Sequence, residues 1–160
     1  MTVTPWTDRP REEAALLNPA FCGRLLLVAM TEYGEPGMPF PVSFLILPLV
    51  LHKRTRDTLP DAIRTSIPIW LQKNPDVRVG FDRRAAGLTG YTREALSFLL
   101  LHKKIASSGG LLVPLIHILK DKEPESEEIK ECLRKARFVG RWLARAGTPA
   151  TLFALFGIRP

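Results

Sequence analysis

The residue types that most often carry chemistry are few and scattered in this chain of 160 residues. Three histidines, His52, His102 and His117, each follow an apolar run and lie far apart. Cys22 and Cys132 have no second cysteine or histidine at the short spacing of zinc ligands. The sequence has no glycine-rich phosphate loop and no grouped nucleophile and base. We therefore predict that the protein is not an enzyme and uses no metal or cofactor.

Basic residues outnumber acidic ones, 23 against 16, which gives a formal net charge of +7. This excess permits binding to nucleic acid or to an acidic protein but does not require either. It is spread along the chain, with no polybasic tail. The candidate contacts for such a partner are Arg83, Arg84, Arg93, Lys103, Lys104, Arg134, Arg141 and Arg145.

The central part of the chain predicts a winged-helix-like unit. Apolar spacing indicates helices over 76–88 and 91–104, with a short turn over 87–90 between them. Residues 105–106 and 111–113 predict two strands, and Gly109-Gly110 allows the positive φ of a hairpin turn. Pro114 has no N–H, so the second strand is expected at a sheet edge. Two interpretations stay open, a core helix under a covering hairpin or a nucleic-acid surface.

The rest of the sequence predicts a mainly α protein. Asn18-Pro19 begins a helix that ends at Gly34. Residues 38–52 are apolar nearly all round and predict a central buried helix kinked at Pro48, with a strand as the competing interpretation. A charged loop over 53–59 and a helix over 61–74, bent at Pro68, follow.

We expect three regions along the chain: a flexible arm over 1–10, a compact helical domain over 11–120 and a C-terminal part over 121–160. The last region has a long helix with a regular apolar stripe, on whose back Phe138 and Trp142 lie. A short helix beyond Gly147 carries the apolar residues Leu152, Phe153, Leu155, Phe156 and Ile158. Either these tail residues cover the aromatic pair, or both sets of residues contact a partner protein.

Composition indicates a soluble protein. Hydrophobic residues make up 46% of the chain, which is enough for a real core. The most hydrophobic run, residues 40–51, is much shorter than the roughly 20 residues of a membrane-spanning helix. No secretory signal pattern begins the sequence, and the two distant cysteines suit buried thiols. We expect a cytoplasmic protein that does not contact a membrane.

Four stretches, taken in order, resemble a known family. They are residues 12–21, residues 38–41 continuing through 47–52, residues 56–60 and residues 140–150. Together they resemble the small middle component of bacterial three-component ABC-ATPase conflict systems, the group that includes Lamassu-like anti-phage systems. No motif among them is catalytic, and the resemblance covers nearly the whole chain.

The resemblance implies a non-catalytic adaptor in an anti-phage defence complex. Its expected partners are an SMC- or Rad50-like ABC ATPase and an effector, expected to be a nuclease, with DNA reached through the complex. Phe138, Trp142 and the apolar tail would then dock on one of these partners. The rival interpretation is a winged-helix transcriptional regulator, although the helix over 91–104 is too apolar to leave many side chains for reading bases.

Overall fold

The computed structural model describes residues 17–116 and 126–159, and the predicted arm and His117 lie outside them. The described chain is mainly α, as predicted, with a small antiparallel sheet. The helices are α1 Pro19–Tyr33, α2 Ile46–Leu51, α3 Lys53–Thr58, α4 Ile67–Lys73, α5 Phe81–Leu101, α6 Glu127–Ala144 and α7 Pro149–Phe156. The strands are β1 Met38–Pro39, β2 Ile105–Ser108 and β3 Leu111–Pro114, and 3₁₀ turns span Phe40–Leu45 and Pro75–Val77.

Helix α1 is the centre of the core. Its predicted start is confirmed, because Oδ1 of Asn18 accepts from the N–H of Phe21 at 2.7 Å and Pro19 occupies the first turn. Its apolar residues from Leu25 to Met30 are almost fully buried. Helices α5 and α6 both pack against it, and one hydrophobic cluster takes in residues from all the helices except α3.

The apolar segment from residue 38 to 52 is mostly buried, as predicted, although Phe40 is 45% exposed, and it is not one kinked helix. It forms β1, a 3₁₀ turn and the short helix α2. Pro41 lies in the first turn of the 3₁₀ segment, and the α-helix begins only at Ile46. Pro48 then lies in the first turn, where its missing N–H removes no intrahelical hydrogen bond.

The predicted charged loop over 53–59 is wrong, because residues Lys53–Thr58 form α3. The ring of His52 caps this helix, with Nδ1 accepting from the N–H of Thr55. Arg56 is only 3% exposed and donates from Nη1 to the carbonyl of Val50 at 2.8 Å. Its Nη2 lies 3.5 Å from a carboxylate oxygen of Glu128, which joins α3 to α6.

We expect Arg56→Ala to lower the free energy of unfolding by about 2 kcal/mol, because it removes a buried stem and a donor to Val50. Arg56→Met also loses the donor to Val50 but keeps the apolar volume, so it is expected to cost about 1 kcal/mol less than Arg56→Ala. Chemical denaturation measures both. Lys53→Met, at a side chain that is 71% exposed, is the control and should change stability by less than about 0.5 kcal/mol. Equal losses in the two Arg56 variants would contradict packing as the main contribution.

The predicted helix over 61–74 is shorter than expected. Helix α4 begins at Ile67, where Oγ of Ser66 accepts from the N–H of Ile69 at 3.4 Å. Pro68 therefore lies in the first helical turn and bends nothing. The Ser66 cap and Pro68 together determine where the helix begins, and residues 61–65 before them form bends and turns.

The predicted helix-turn-helix is wrong. Residues Phe81–Leu101 form one continuous helix, α5, which passes through Gly87 and Gly90. Each glycine costs about 1 kcal/mol relative to alanine in a helix. The buried face of α5, which includes Ala85, Ala95 and Leu99, packs on α1 and compensates for that cost. The helix-turn-helix predicted over residues 76–104 is therefore not formed.

The hairpin is confirmed, but its second strand is not an edge. Strands β2 and β3 pair through a turn in which Gly109 and Gly110 have φ of 58° and 78°. Strand β1 pairs with the other side of β3, so the strand order is β1-β3-β2. Pro114 lies at the end of β3 beyond the reach of β1, where no N–H is required. A strand of two residues is too short to be recognised from sequence.

The C-terminal helices begin at local capping signals. Ser126 caps α6, with Oγ accepting from the N–H of Ile129 at 3.3 Å. Thr148 caps α7 by accepting from the N–H of Thr151 at 3.3 Å, and Pro149 follows it. The left-handed Gly147 between the helices confirms the predicted break.

Candidate partner-docking surface

The C-terminal helix α7 is divided between the core and the surface. Leu152 and Phe156 are fully buried, and the ring of Phe156 stacks on Phe81 with centroids 4.7 Å apart. Phe153, Leu155 and Ile158 are half-buried. We call these three residues the C-terminal ridge. The tail is thus anchored by two side chains and keeps a partly exposed apolar face.

Phe138 and Trp142 belong to the core and not to the surface. They are 8% and 2% exposed, and Nε1 of Trp142 donates to the carbonyl of Thr65 at 2.6 Å. Trp142 also packs edge-on against Trp70, with centroids 5.1 Å apart. The back of α6 is therefore covered by the segment before α4 and by α4 itself. A partner would have to open the core to reach either predicted docking residue.

Two grooves border the C-terminal ridge, and Asp82 and Gly157 line both. Groove A has a volume of about 1010 Å³ and runs between α4, the turn Pro75–Val77 and α7, with Ala154 and Leu155 on its wall. Groove B has a volume of about 540 Å³ and runs between the Phe40–Leu45 turn, α5 and the tail. Its other lining residues include Phe40, Phe44, Ala86, Arg93, Phe153 and Ile158.

Large apolar side chains are exposed beside both grooves. Val79 in groove A is 72% exposed, and Phe40 in groove B is 45% exposed. Contiguous exposed apolar surface with polar edges is typical of protein-interaction sites. Arg78, Arg93 and Arg159 provide charged borders. The ridge and its grooves can therefore receive an apolar segment of another protein.

A second exposed apolar area, which we call the apolar corner, lies where α5 and β3 end. Leu101 is 81% exposed, Leu115 is 55% exposed, and Leu100 and Ile116 complete the area. Lys104 ties the two elements together, because its carbonyl accepts from the N–H of Leu115 at 2.8 Å. Leu100 is 44% exposed, although Leu96 and Leu99 of the same helix are buried. In the sequence, only the run of three leucines over 99–101 indicates this exposed apolar area.

The predicted basic contacts do not gather on one recognition helix. Arg83, Arg93 and Lys103 are exposed at different points along α5 and just beyond it, and Lys104 is half-buried. Arg84 is half-buried and pinned by two hydrogen bonds to backbone carbonyls. Only Arg93 among them lines groove B.

The basic flank of α6 is largely paired. Arg134 makes a salt bridge of 2.9 Å with Glu131, and Arg141 makes one of 3.1 Å with Glu32. Lys130 lies 3.2 Å from a carboxylate oxygen of Glu127. Arg145 is exposed and borders a small pocket beside Trp142. Neutralised side chains attract an acidic partner weakly, so this flank is a weaker candidate than the ridge.

Residues that could ligate a metal are not clustered in the part of the chain that the structure describes, where no three of His, Cys, Asp or Glu come together. Cys22 and Cys132 are buried free thiols, and burial raises the pKa of Cys132. No helix within residues 17–116 and 126–159 combines the length and apolar character needed to cross a bilayer.

Comparison with known proteins gives one clear match. No curated protein and no solved structure matches this chain. The family model of the ABC-three component (ABC-3C) system Middle Component 3 matches residues 6–160, which is nearly the entire sequence. Such a component works beside other members of a three-component ABC system, which agrees with the exposed apolar surfaces described above. The chain therefore belongs to the Middle Component 3 family of ABC-three component systems.

Proposed function

We propose that this protein is a non-catalytic adaptor that joins an SMC- or Rad50-like ABC ATPase to an effector nuclease in cytoplasmic anti-phage defence. DNA is reached through the complex. The observation that carries the proposal is the C-terminal ridge between grooves A and B. Exposed apolar surface of this kind is uncommon on a domain that functions alone, and it is typical of a surface that binds a partner protein.

The ATPase is the partner assigned to the ridge. The family description names an ABC system, so an ABC component is the partner class with direct support. The ridge offers half-buried apolar side chains and two grooves with charged borders, which suits an amphipathic helix laid across it. Phe153, Leu155 and Ile158 are the anchors that such a helix would contact.

The apolar corner gives the adaptor its second surface. Ala86 in groove B and Leu101 in the corner are separated by 15 residues of the same helix. At 1.5 Å per residue, this corresponds to roughly 22 Å along the axis of α5. Two partners can therefore bind α5 near opposite ends at once, and we assign the effector to the corner.

The turn over 87–90 that the helix-turn-helix regulator requires is not formed in α5, which is continuous from Phe81 to Leu101. The adaptor is accordingly the single function we put forward.

Co-purification of this protein with its ATPase and effector tests the proposal. Ala154→Lys blocks groove A and Ala86→Lys blocks groove B, and both sites are exposed, so the fold should tolerate them. We expect each to weaken ATPase binding about tenfold or more. Leu101→Lys should instead weaken effector binding and leave ATPase binding intact.

Ala150→Lys is the matched control, since it adds the same charge to an exposed site of α7 that does not line groove A or B. Its lysine is nearer the positive end of the helix dipole, so it disturbs the helix at least as much as Ala154→Lys does. A wild-type chain that binds neither partner would overturn the adaptor proposal. Intact ATPase binding in both groove variants would overturn only the assignment of the ridge.

A further inference from the structure

A polar cavity beside groove A, with which it shares Pro75 and Val79, has no role in the adaptor proposal. Its volume is about 450 Å³, within the range of small-ligand sites. It is lined by His52 and Arg54 from the start of α3, Lys73 from the end of α4, Asp76 from the Pro75–Val77 turn and Arg84 from α5. We propose that this basic cavity binds a phosphate group, through Arg54, Lys73 and Arg84.

The cavity holds an excess of positive charge. Three lining residues are cations, and the single lining carboxylate is Asp76. Among the described residues, no carboxylate lies within salt-bridge distance of Arg54, Lys73 or Arg84. Unpaired cations that converge on a concave site attract anions more strongly than cations on a flat surface do.

Arg84 is held in place without being neutralised. Nη1 donates to the carbonyl of Val79 and Nη2 to the carbonyl of Val77, both at 2.9 Å. Its guanidinium also lies 5.6 Å from the centre of the Phe81 ring. These contacts are to neutral groups, so the positive charge stays available while the side chain is fixed. Asp82 acts on Arg84 from a distance, but Asp82 does not line the cavity.

The imidazole of His52 responds to this charge. Burial, followed by the charges of Arg84 and Arg54, lowers the pKa of His52 below its ordinary value. Since Nδ1 is used in capping α3, the ring is fixed beside the cavity. A bound anion would oppose the two arginines and raise that pKa again. The pKa of His52 therefore reports whether an anion is bound in the cavity.

A phosphate fits this cavity better than a single carboxylate does. Phosphate carries up to two charges and three acceptor oxygens, and three cations from three separate elements surround this site. Such a phosphate can belong to a nucleotide or to a nucleic-acid backbone. Both sources present the same phosphate group to the three cations, and a competition experiment distinguishes them.

Pyrophosphate is the first probe, titrated into the full-length protein at low ionic strength by calorimetry and by proton NMR of the histidine rings. We expect saturable binding and a rise in the pKa of His52, whose signal is identified by its loss in His52→Gln. Arg54→Gln and Lys73→Gln should each weaken binding about tenfold. Arg64→Gln removes an exposed charge that does not line the cavity, so it is the matched control.

Competition then identifies the source of the phosphate. Displacement of pyrophosphate by a nucleoside triphosphate supports a nucleotide, and displacement by duplex DNA with a steep salt dependence supports a backbone phosphate. The proposal is overturned if neither pyrophosphate nor DNA binds in a manner sensitive to Arg54→Gln. It is also overturned if Arg64→Gln weakens binding as much as Arg54→Gln, or if an acidic peptide binds this site and pyrophosphate does not.

Discussion

Alanine at Gly140 is expected to lower the free energy of unfolding by roughly 3 kcal/mol, although alanine is the better helix former. Gly140 lies in the last third of α6, where that helix packs against α1. A Cβ atom at this position would come within 2.9 Å of the Cα and carbonyl carbon of Ala29, and closer still to its oxygen. The obstruction is backbone in the most buried helix of the protein, so no side chain can rotate to relieve it.

Gly87→Ala is the matched control for this prediction. Gly87 is exposed within α5 and has no heavy atom within 4 Å of an added Cβ. We expect a gain of about 0.4 to 1 kcal/mol from lower backbone entropy in the unfolded chain. Urea denaturation of both variants measures the pair. A Gly140→Ala protein as stable as the wild type would show that α1 and α6 are less closely packed than the contact between Gly140 and the Ala29 backbone indicates.

Helix starts were predictable because capping is local. Asn18 and Thr148 each accept a hydrogen bond from an N–H three residues later, and a proline follows each of them. Such a signal needs only four neighbouring residues, whatever the rest of the chain does. The hairpin turn at Gly109-Gly110 was predictable for the same reason.

The errors arose where distant contacts decide the structure. Gly87 and Gly90 resemble a turn locally, but the packing of α5 on α1 keeps the helix unbroken. Arg56 stands in a charged run that predicts a loop, although its guanidinium is buried against Val50. Strand β1 exists only because β3 pairs with it. Single-sequence patterns contain none of these partners.

The candidate surfaces were predictable in part. The apolar tail indicated buried side chains, and helical periodicity explains why Leu152 and Phe156 face inward, since they are four residues apart. The basic cavity was not predictable, because its cations come from three elements separated along the chain. Helical periodicity placed Phe138 and Trp142 away from the main stripe of α6. It contained no information on which segment covers them.

The position of Trp142 gives the second large expected effect. Trp142→Ala should lower the free energy of unfolding by about 3 to 5 kcal/mol, because it empties the space between α6 and Trp70. Trp142→Phe keeps most of that volume but leaves the carbonyl of Thr65 without its donor. We expect it to cost about 1 to 3 kcal/mol. Denaturation followed by circular dichroism measures both variants without depending on tryptophan fluorescence.

Leu101→Ala is the control for these variants, because a side chain that is 81% exposed should contribute less than about 0.5 kcal/mol to stability. Partner binding separates a core tryptophan from a docking one. The wild-type indole of Trp142 is hydrogen-bonded inside the chain and is not available to a partner. A Trp142→Phe protein that is still folded should therefore bind the ATPase with wild-type affinity. Unchanged stability together with lost ATPase binding would return Trp142 to the docking surface and contradict its place in the core.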